Sequence, residues 1–283
     1  MANIKEIKTR IESVINTRQI TNAMKMVSAS KLRKAQKNIV QARPYANRLN
    51  EMIEMIKLKN TTTTHPLLAE VKKSGEEVVV VVTSDRGLCG AFNAHIIRTT
   101  NEYLTEHPHA KLICVGKKGC DYFKNHSDKI IGKYVDFFNE MNFGVSKEIA
   151  SKVTELYLNE KYSKIVVIYN EFKSIIQQNI IAKQILPIIP QKSKNLSLID
   201  FIYEPNEDII IENLGKKYVN VSIWRILLES SAAEQGARMT AMESATENAT
   251  ELIHTLKLTY NRARQAAITK EIIEIASGAN AIK

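Results

Sequence analysis

The residues best placed to do chemistry form a glycine-containing turn directly after an apolar run. The turn reads SDRGLCGAFN over residues 84–93 and follows EEVVVVVT at 76–83. In α/β proteins a buried strand followed by such a turn often holds a phosphate, because peptide N–H groups at a helix start point at the ligand. The first hypothesis is therefore a nucleotide-binding enzyme.

The glycine spacing does not match either phosphate-binding motif. The dinucleotide fingerprint needs G-x-G-x-x-G, whereas the turn offers only Gly87 and Gly90 with Arg86 in front. Gly116 and Gly119 lack both the upstream glycine and the Ser or Thr of a P-loop. An anion site assisted by Arg86 remains open as an alternative from spacing alone.

No other residue pattern indicates catalysis. The chain has no HExxH motif, and His107 and His109 stand in a polar loop where they are expected to be solvated. No serine, cysteine or histidine arrangement is typical of a triad. The sequence therefore predicts no catalytic residue, no cofactor site and no metal site.

The cysteines indicate a reducing compartment. Cys89, Cys114 and Cys120 are too few, and odd in number, for a disulfide framework. Cys114 and Cys120 stand six apart and could form a redox pair. Their strand-like setting favours Cys114 as a small buried residue instead.

The positive charge is concentrated near the N-terminus. Residues 3–58 carry 12 Lys and Arg and 4 Asp and Glu, a net of +8, out of +10 for the chain. Between Glu12 and Glu51 there is no acidic residue at all. This asymmetry predicts a strongly acidic partner for that segment.

The N-terminal segment that carries this charge has a heptad repeat. Three-four spacing continues for over fifty residues and is typical of a coiled coil, and Pro44 is expected to interrupt or bend the helix locally. The spacing turns polar between Arg18 and Ser28, where Ile20, Met24 and Val27 form an apolar stripe beside it. The spaced residues are Ile4, Ile7, Ile11, Val14, Arg18, Thr21, Lys25, Ser28, Leu32, Ala35, Ile39, Ala42, Ala46, Leu49, Ile53 and Ile56.

The C-terminal segment repeats the pattern with smaller residues, which would let two helix axes approach closely. Its spaced residues are Leu228, Ser231, Gln235, Arg238, Met242, Ala245, Ala249, Leu252, Leu256, Thr259, Ala263, Ala266, Lys270 and Ile273. Two long stripes at opposite ends of a chain are most simply buried against each other as an antiparallel pair. A multi-helix bundle with unrecognised breaks is the alternative.

The pattern in the middle of the chain predicts an α/β domain. Strand-like runs at 78–83, 111–115 and 164–169 alternate with helical segments at 91–106 and 146–159. This alternation predicts βαβ units and a largely parallel sheet, with 175–185 as an antiparallel edge strand. The predicted fold is thus an α/β insert with a long antiparallel two-helix coiled coil formed by the N- and C-terminal segments. The predicted boundaries are a helix over 1–58, a Rossmann-like domain over 59–205 and a helix over 206–283.

Three stretches together resemble one family. They are NTRQITNAMKMVSASKL at 16–32, SDRGLCGAFN at 84–93 and RQAAITKEIIEIASGA at 264–279. In order and spacing they resemble the gamma subunit of F-type, proton-translocating ATP synthase, and the resemblance covers the whole chain. It implies that the paired helices form an asymmetric shaft inside a hexamer of alternating alpha and beta subunits. ATP would be made on the beta subunits, so this chain would be a non-catalytic subunit.

The resemblance also implies contacts at particular residues. Met24 and Lys25 match shaft positions that pass the acidic lever segment of beta. Arg264 and Gln265 match a pair that hydrogen-bonds a beta loop near the catalytic head, and Arg86 matches a beta contact lower on the shaft.

Two further positions concern the membrane side of the complex. Tyr203 and Glu204 match positions that face the membrane c-ring, and the epsilon subunit would lie beside the α/β domain. The tip at 272–282 matches an end that turns in an apolar sleeve, although Asn280 and Lys283 are more polar than usual. The location implied is peripheral, on the cytoplasmic side of a bacterial inner membrane.

A nucleic-acid-binding coiled coil is the rival class, since it too would need an acid-free basic helix. Such a protein would interleave aromatic residues with its cations, and residues 13–44 contain no aromatic residue. No nucleic-acid partner is therefore expected.

Overall fold

The protein forms two compact units. A computed structural model describes residues 4–59, 65–68, 75–138, 141–159, 162–174, 178–189, 204 and 207–281. The smaller unit combines Met1–Ser28 with Met239–Lys283, and the larger unit is Ala29–Arg238. Each unit thus contains part of the N-terminal helix and part of the C-terminal helix.

Both terminal segments are single helices, so the multi-helix bundle is wrong. Helix α1 spans Ile4–Lys59, and the last helix, α5, spans Glu207–Ala281. Pro44 was expected to interrupt or bend α1, and the helix continues through it without interruption. Pro44 lies on the exposed side of α1, where water can bond the carbonyl that loses its N–H partner.

The three-four spacing of α1 marks its buried face. Every member of the predicted stripe from Ile4 to Ile56 is buried or half-buried, and Ile7, Thr21, Leu32, Leu49 and Ile53 are among the buried ones. In the smaller unit Thr21 contacts Thr246 and Lys25 contacts Glu243. Residue numbers fall along one helix as they rise along the other, so the pair is antiparallel as predicted.

A five-stranded sheet forms the centre of the larger unit. Its order is β3-β2-β1-β4-β5. The first four strands are parallel, and β5 runs antiparallel to β4, as expected for an edge strand after position 175. The strands are β1 (Glu76–Val82), β2 (Lys111–Val115), β3 (Ile130–Tyr134), β4 (Tyr162–Phe172) and β5 (Gln178–Leu186).

Helices cover both faces of the sheet. They are α2 (Phe92–Glu106), α3 (Lys117–Phe123) and α4 (Phe143–Leu158), and a 3-10 turn follows α3 at Lys124–His126. Alternate residues of β1 face opposite sides: Val78 and Val80 pack in the cluster that holds α4, whereas Val79 and Val81 pack with α2. Residues of α5 join both clusters, which anchors that helix to the sheet.

Two elements differ from the sequence-based expectation, which placed no strand at β3 and no helix at α3. Strand β3 has Gly132 and Lys133 at its centre and lies at the sheet edge. Helix α3 has seven residues, with Gly119 inside it. Its first turn is held by tertiary hydrogen bonds rather than by helix propensity.

Candidate functional site

The SDRGLCGAFN turn is braced by its own side chains. Asn93 accepts a hydrogen bond from the Ser84 N–H (3.0 Å) and donates to Ser84 Oγ (2.8 Å). Ser84 Oγ in turn donates to the Arg86 carbonyl (2.6 Å). Leu88 and Gly90 have positive φ values of 62° and 57°, which turn the chain sharply. The Arg86 side chain is left exposed.

The peptide donors that could hold a phosphate near this turn bond to protein side chains instead. The Lys117 N–H, at the start of α3, donates to Asp85 Oδ1 (3.0 Å), and the Gly119 N–H donates to Thr83 Oγ1 (2.8 Å). Asp85 also accepts from the N–H of Asp136 (3.1 Å). The Asp85 carboxylate therefore takes the position that an anionic ligand would otherwise occupy.

Helix α5 covers the crevice where a parallel sheet of this order would bind a nucleotide. That crevice lies outside the carboxyl ends of the strands where the order reverses, here β1 and β4. Ala233 of α5 is fully buried in the cluster that contains Val81, Phe92 and Ile168. The geometry thus supports helix packing at this crevice.

Arg238 joins α5 to the turn. Its guanidinium donates to the carbonyls of Arg86 (3.3 Å) and Gly87 (3.2 Å) and to Glu234 Oε1 (2.6 Å). Both members of the Arg238–Glu234 pair are buried. Burial raises the pKa of Glu234, and the charge of Arg238 opposes that rise. Arg238 therefore determines how the turn presents Arg86.

Sequence reasoning placed Arg238 in the helix stripe but assigned it no role. The available signal was a charged residue at a spaced position four residues after Glu234, within a run of small residues. Its bonds to the turn depend on tertiary structure.

The smaller unit has a polar stretch in its helix pair. Lys25 Nζ lies 2.5 Å from Glu243 Oε1, with both side chains partly exposed. Thr246 donates to Thr21 Oγ1 (2.8 Å), which donates to the Arg18 carbonyl (3.0 Å). Met24 is half-buried beside this stretch, whereas Ile20 and Val27 are exposed, 61% and 56%.

In the larger unit α1 presents a row of cations. Arg33, Lys34, Lys37 and Arg43 are exposed, and none of them forms an ion pair with a described residue. An unpaired basic row on a helix face suits an acidic protein surface.

Near its end α5 presents exposed apolar and polar side chains together. Arg264 and Gln265 are exposed, and within the described chain their side chains form no hydrogen bond or ion pair. Beyond them Ile268, Ile272 and Ile275 are also exposed. Several exposed isoleucines close together on one helix indicate a surface that a partner covers.

The remaining site residues are placed as follows. Glu204 is exposed, whereas Tyr203 lies outside the described residues. Met24 and Lys25 are neighbours on α1, and Arg264 and Gln265 are neighbours on α5; no bond between described residues joins the two pairs. Arg86 belongs to the larger unit. Of the described site residues, Arg86, Glu204, Arg264 and Gln265 are exposed, and Met24 and Lys25 are half-buried.

No group of three His, Cys, Asp or Glu among the described residues could hold a metal ion. All three cysteines are free thiols, and Cys114 is buried in β2 as predicted. Within the described ranges, no helix has both the length and the apolar character to cross a membrane.

Fold and surface together define a class: an α/β domain inserted into an antiparallel helix pair, with protein-binding surfaces. A family model described as ATP synthase matches residues 3–282. The ATP synthase gamma chain of Chloroherpeton thalassium is 47% identical, covering 100% of this chain and 99% of that relative. The gamma chain of Chlorobium phaeobacteroides strain BS1 is 48% identical with the same coverage. The chain belongs to the ATP synthase gamma chain family and is a non-catalytic subunit of that complex.

Solved structures show the same architecture. The central stalk and c-ring structure of Tetrahymena thermophila mitochondrial ATP synthase contains a chain with a TM-score of 0.61 and 27% identity, covering 80% of this chain and 99% of that one. A chain of the Euglena gracilis mitochondrial ATP synthase, in rotational state 3, gives a TM-score of 0.70 at 22% identity. That match covers 99% of this chain and 94% of the other. The predicted combination of coiled coil and α/β insert is confirmed.

Proposed function

We propose that this chain is the central rotor shaft of a proton-translocating F-type ATP synthase. It couples proton flow through the membrane c-ring to conformational cycling of the catalytic beta subunits. The observation that carries the proposal is the surface left over after the helices pair. Arg33, Lys34, Lys37 and Arg43 on α1 form no ion pair with a described residue, and Ile268, Ile272 and Ile275 on α5 are exposed.

The mechanism is thermodynamic linkage. A rotor face that contacts one beta subunit differently from the next shifts that subunit's nucleotide affinity, and nucleotide state biases rotor orientation in return. The rotor therefore needs unlike sides. The basic row on α1 and the apolar end of α5 supply two unlike surfaces. Exposed ion pairs contribute only about 0–1 kcal/mol each, which suits contacts that form and break in every turn.

Five residues are proposed to contact beta: Met24, Lys25, Arg86, Arg264 and Gln265. Arg86, Arg264 and Gln265 are exposed, which supports such contacts. Lys25 differs because its ammonium already lies against Glu243. Its remaining N–H donors can bind a second carboxylate, so Glu243 would orient Lys25 toward beta.

The membrane-side contacts complete the proposal. Tyr203 and Glu204 would face the c-ring, and the epsilon subunit would bind beside the α/β domain, with no nucleic acid involved. Glu204 is exposed, as this contact needs. The complex would place the chain peripherally on the cytoplasmic side of a bacterial inner membrane.

Co-purification tests the proposal. The tagged full-length chain, expressed with its own operon, should retain alpha, beta, epsilon and the c-ring through affinity and size-exclusion steps. The preparation should hydrolyse ATP and acidify vesicles. Recovery of the chain free of alpha and beta, or bound to nucleic acid, would contradict it.

A further inference from the structure

A polar cavity of about 210 Å³ lies where α1, the edge strand β5 and α5 meet in the larger unit. Two cations line it, Lys183 from β5 and Arg225 from α5. Asn47, Tyr218 and Ser222 supply further polar groups to the wall. The residues proposed to contact beta and the c-ring include none of these.

Lys183 is a half-buried cation in the wall of this cavity. Its ammonium forms no hydrogen bond or ion pair with any described residue, although an ammonium has three N–H donors. Burial lowers the pKa of Lys183, and the nearby charge of Arg225 lowers it further. A partly desolvated ammonium that has no partner among the described residues costs free energy, and this favours a ligand or a bound water.

The acidic groups nearby are already engaged. Glu229 accepts a hydrogen bond from Arg225 Nε (2.8 Å) and another from the Tyr169 hydroxyl (3.2 Å). Glu51 also lines the cavity, but it pairs with Arg48 at 2.9 Å. The long-range charges of Glu229 and Glu171 favour the charged form of Lys183, yet neither carboxylate lies within ion-pair distance of it.

Arg225 has donors to spare. A guanidinium carries five N–H groups, and the bond from Nε to Glu229 is the one that Arg225 makes to a described residue. The terminal N–H groups therefore remain available at the cavity. Two cations with unfilled donors around one small polar space are what oxyanion recognition requires, because charge-assisted hydrogen bonds are the strong ones.

We infer that this cavity binds a small oxyanion of the phosphate class between Lys183 and Arg225. The Asn47 amide and the Tyr218 hydroxyl complete the donor set, and the Ser222 hydroxyl hydrogen-bonds Tyr218. The cavity is smaller than the roughly 300–1,000 Å³ typical of pockets for drug-sized ligands. The terminal phosphate of a nucleotide could accept the same hydrogen bonds. A free inorganic ion nevertheless fits better, because the cavity is too small for a whole nucleotide.

Isothermal titration of the full-length chain with inorganic phosphate, at constant ionic strength in chloride, tests the inference. The variants are Lys183→Met, which removes the cation, and Lys133→Met, which removes an exposed lysine from the opposite edge strand β3. Phosphate should bind the wild type and Lys133→Met saturably. Lys183→Met should bind about tenfold more weakly or not at all.

Parallel titrations with ADP and ATP separate the two sources of phosphate. If inorganic phosphate is the ligand, nucleotides should bind more weakly than phosphate and not through Lys183. Absence of saturable phosphate binding, or equal binding by Lys183→Met, would overturn the inference; so would nucleotide binding that is tighter than phosphate and lost in Lys183→Met.

Thermal unfolding shows whether Lys183 acts only in folding. Without phosphate, Lys183→Met should melt no lower than the wild type, because methionine replaces an unpaired cation with an apolar chain of similar length. Phosphate should raise the Tm of the wild type and of Lys133→Met, with no rise for Lys183→Met. Equal phosphate-dependent rises in all three proteins would contradict the inference.

Discussion

Arg238 shows how one side chain of α5 shapes a loop far away in sequence. Its bonds to the Arg86 and Gly87 carbonyls span about 150 residues of chain. The same guanidinium balances the buried Glu234 carboxylate. Presentation of Arg86 therefore depends on a residue that itself touches no proposed partner.

Replacing Arg238 should destabilise the larger unit. Arg238→Met leaves the Glu234 carboxylate buried without its cation, which typically costs about 3–5 kcal/mol. Urea unfolding followed by fluorescence of Trp224 measures the change, because Trp224 is the chain's single tryptophan and packs against Phe143 in this unit.

The matched control is Arg98→Met. Arg98 pairs with Glu102 at 3.6 Å and both side chains are largely exposed, so a loss of about 0–1 kcal/mol is expected. Adding Glu234→Gln to Arg238→Met should recover part of the stability. Equal losses for Arg238→Met and Arg98→Met would show that the buried pair matters no more than a surface pair.

Arg264 belongs to the proposed partner surface, so its loss should affect activity more than stability. Arg264→Ala should slow ATP-driven proton pumping by about tenfold, the worth of one charge-assisted hydrogen bond. The free energy of unfolding should change by less than about 0.5 kcal/mol, since the side chain is exposed. Proton pumping in inverted vesicles and urea unfolding measure the two effects.

Arg262→Ala serves as the control because Arg262 is also exposed on α5, two residues earlier. It should change pumping by less than twofold, as expected of a surface change worth less than about 0.4 kcal/mol. Parallel losses of pumping and stability in Arg264→Ala would indicate a merely structural role.

At the scale of elements, the basic row on α1 is visible both in the sequence and in the structure. The acid-free run predicted an acidic partner, and the structure leaves Arg33, Lys34 and Lys37 exposed. Lys25 is a poor residue for a test of this row, because reversing its charge would place an acid against Glu243. The experiment therefore uses Arg33, Lys34 and Lys37 from that row.

Changing Arg33, Lys34 and Lys37 together to Glu should weaken assembly or coupling. Each contact is weak, about 0–1 kcal/mol, but reversal replaces attraction by repulsion at three adjacent sites. We expect ATP-driven proton pumping to fall several-fold, while far-UV circular dichroism and the Tm of the free chain stay close to wild type. Pumping at the wild-type rate would count against an electrostatic contact.

The same charge change elsewhere provides the comparison. Lys124, Lys133 and Lys147 are exposed residues of the α/β domain, and their joint change to Glu alters net charge equally. This variant should pump at a rate near wild type. A loss as large as that of the α1 variant would mean that net charge, rather than the α1 row, sets the effect.

Several elements could be predicted from the sequence because their patterns are local and strong. The stripe of α1 is a run of three-four spacings, and β1 is a nearly unbroken row of valines. Helix α2 and strand β2 follow the same logic and lie within about a residue of their predicted bounds. Burial of one continuous apolar face determines each of them.

What could not be predicted depends on contacts between distant residues. Strand β3 pairs only along one edge and has glycine at its centre, so its own pattern is weak. Helix α3 begins where the side chains of Thr83 and Asp85 accept hydrogen bonds from its first N–H groups. Lys183 stands in an ordinary strand sequence, and only the fold shows that no described residue forms an ion pair with it.

At the scale of the molecule, the surface that we propose for the beta subunits lies mainly on the two terminal helices. Arg33, Lys34 and Lys37 lie on α1, and Ile268 and Ile272 lie on α5. Torque transmission requires a surface of this kind, because a rotor must meet each beta subunit in turn. The α/β domain provides the attachment of this helix pair to other parts of the complex in the proposed function.

The most direct measurement of the rotor proposal is single-molecule rotation. Lys124→Cys, an exposed site on the α/β domain, would carry a biotin-linked gold particle on a complex immobilised through its alpha and beta subunits. The wild-type chain, whose cysteines are buried or half-buried, should bind few particles. On addition of ATP, the account predicts rotation in one direction with three stops per turn, one for each beta subunit. ATP hydrolysis while the particle stays still would contradict it.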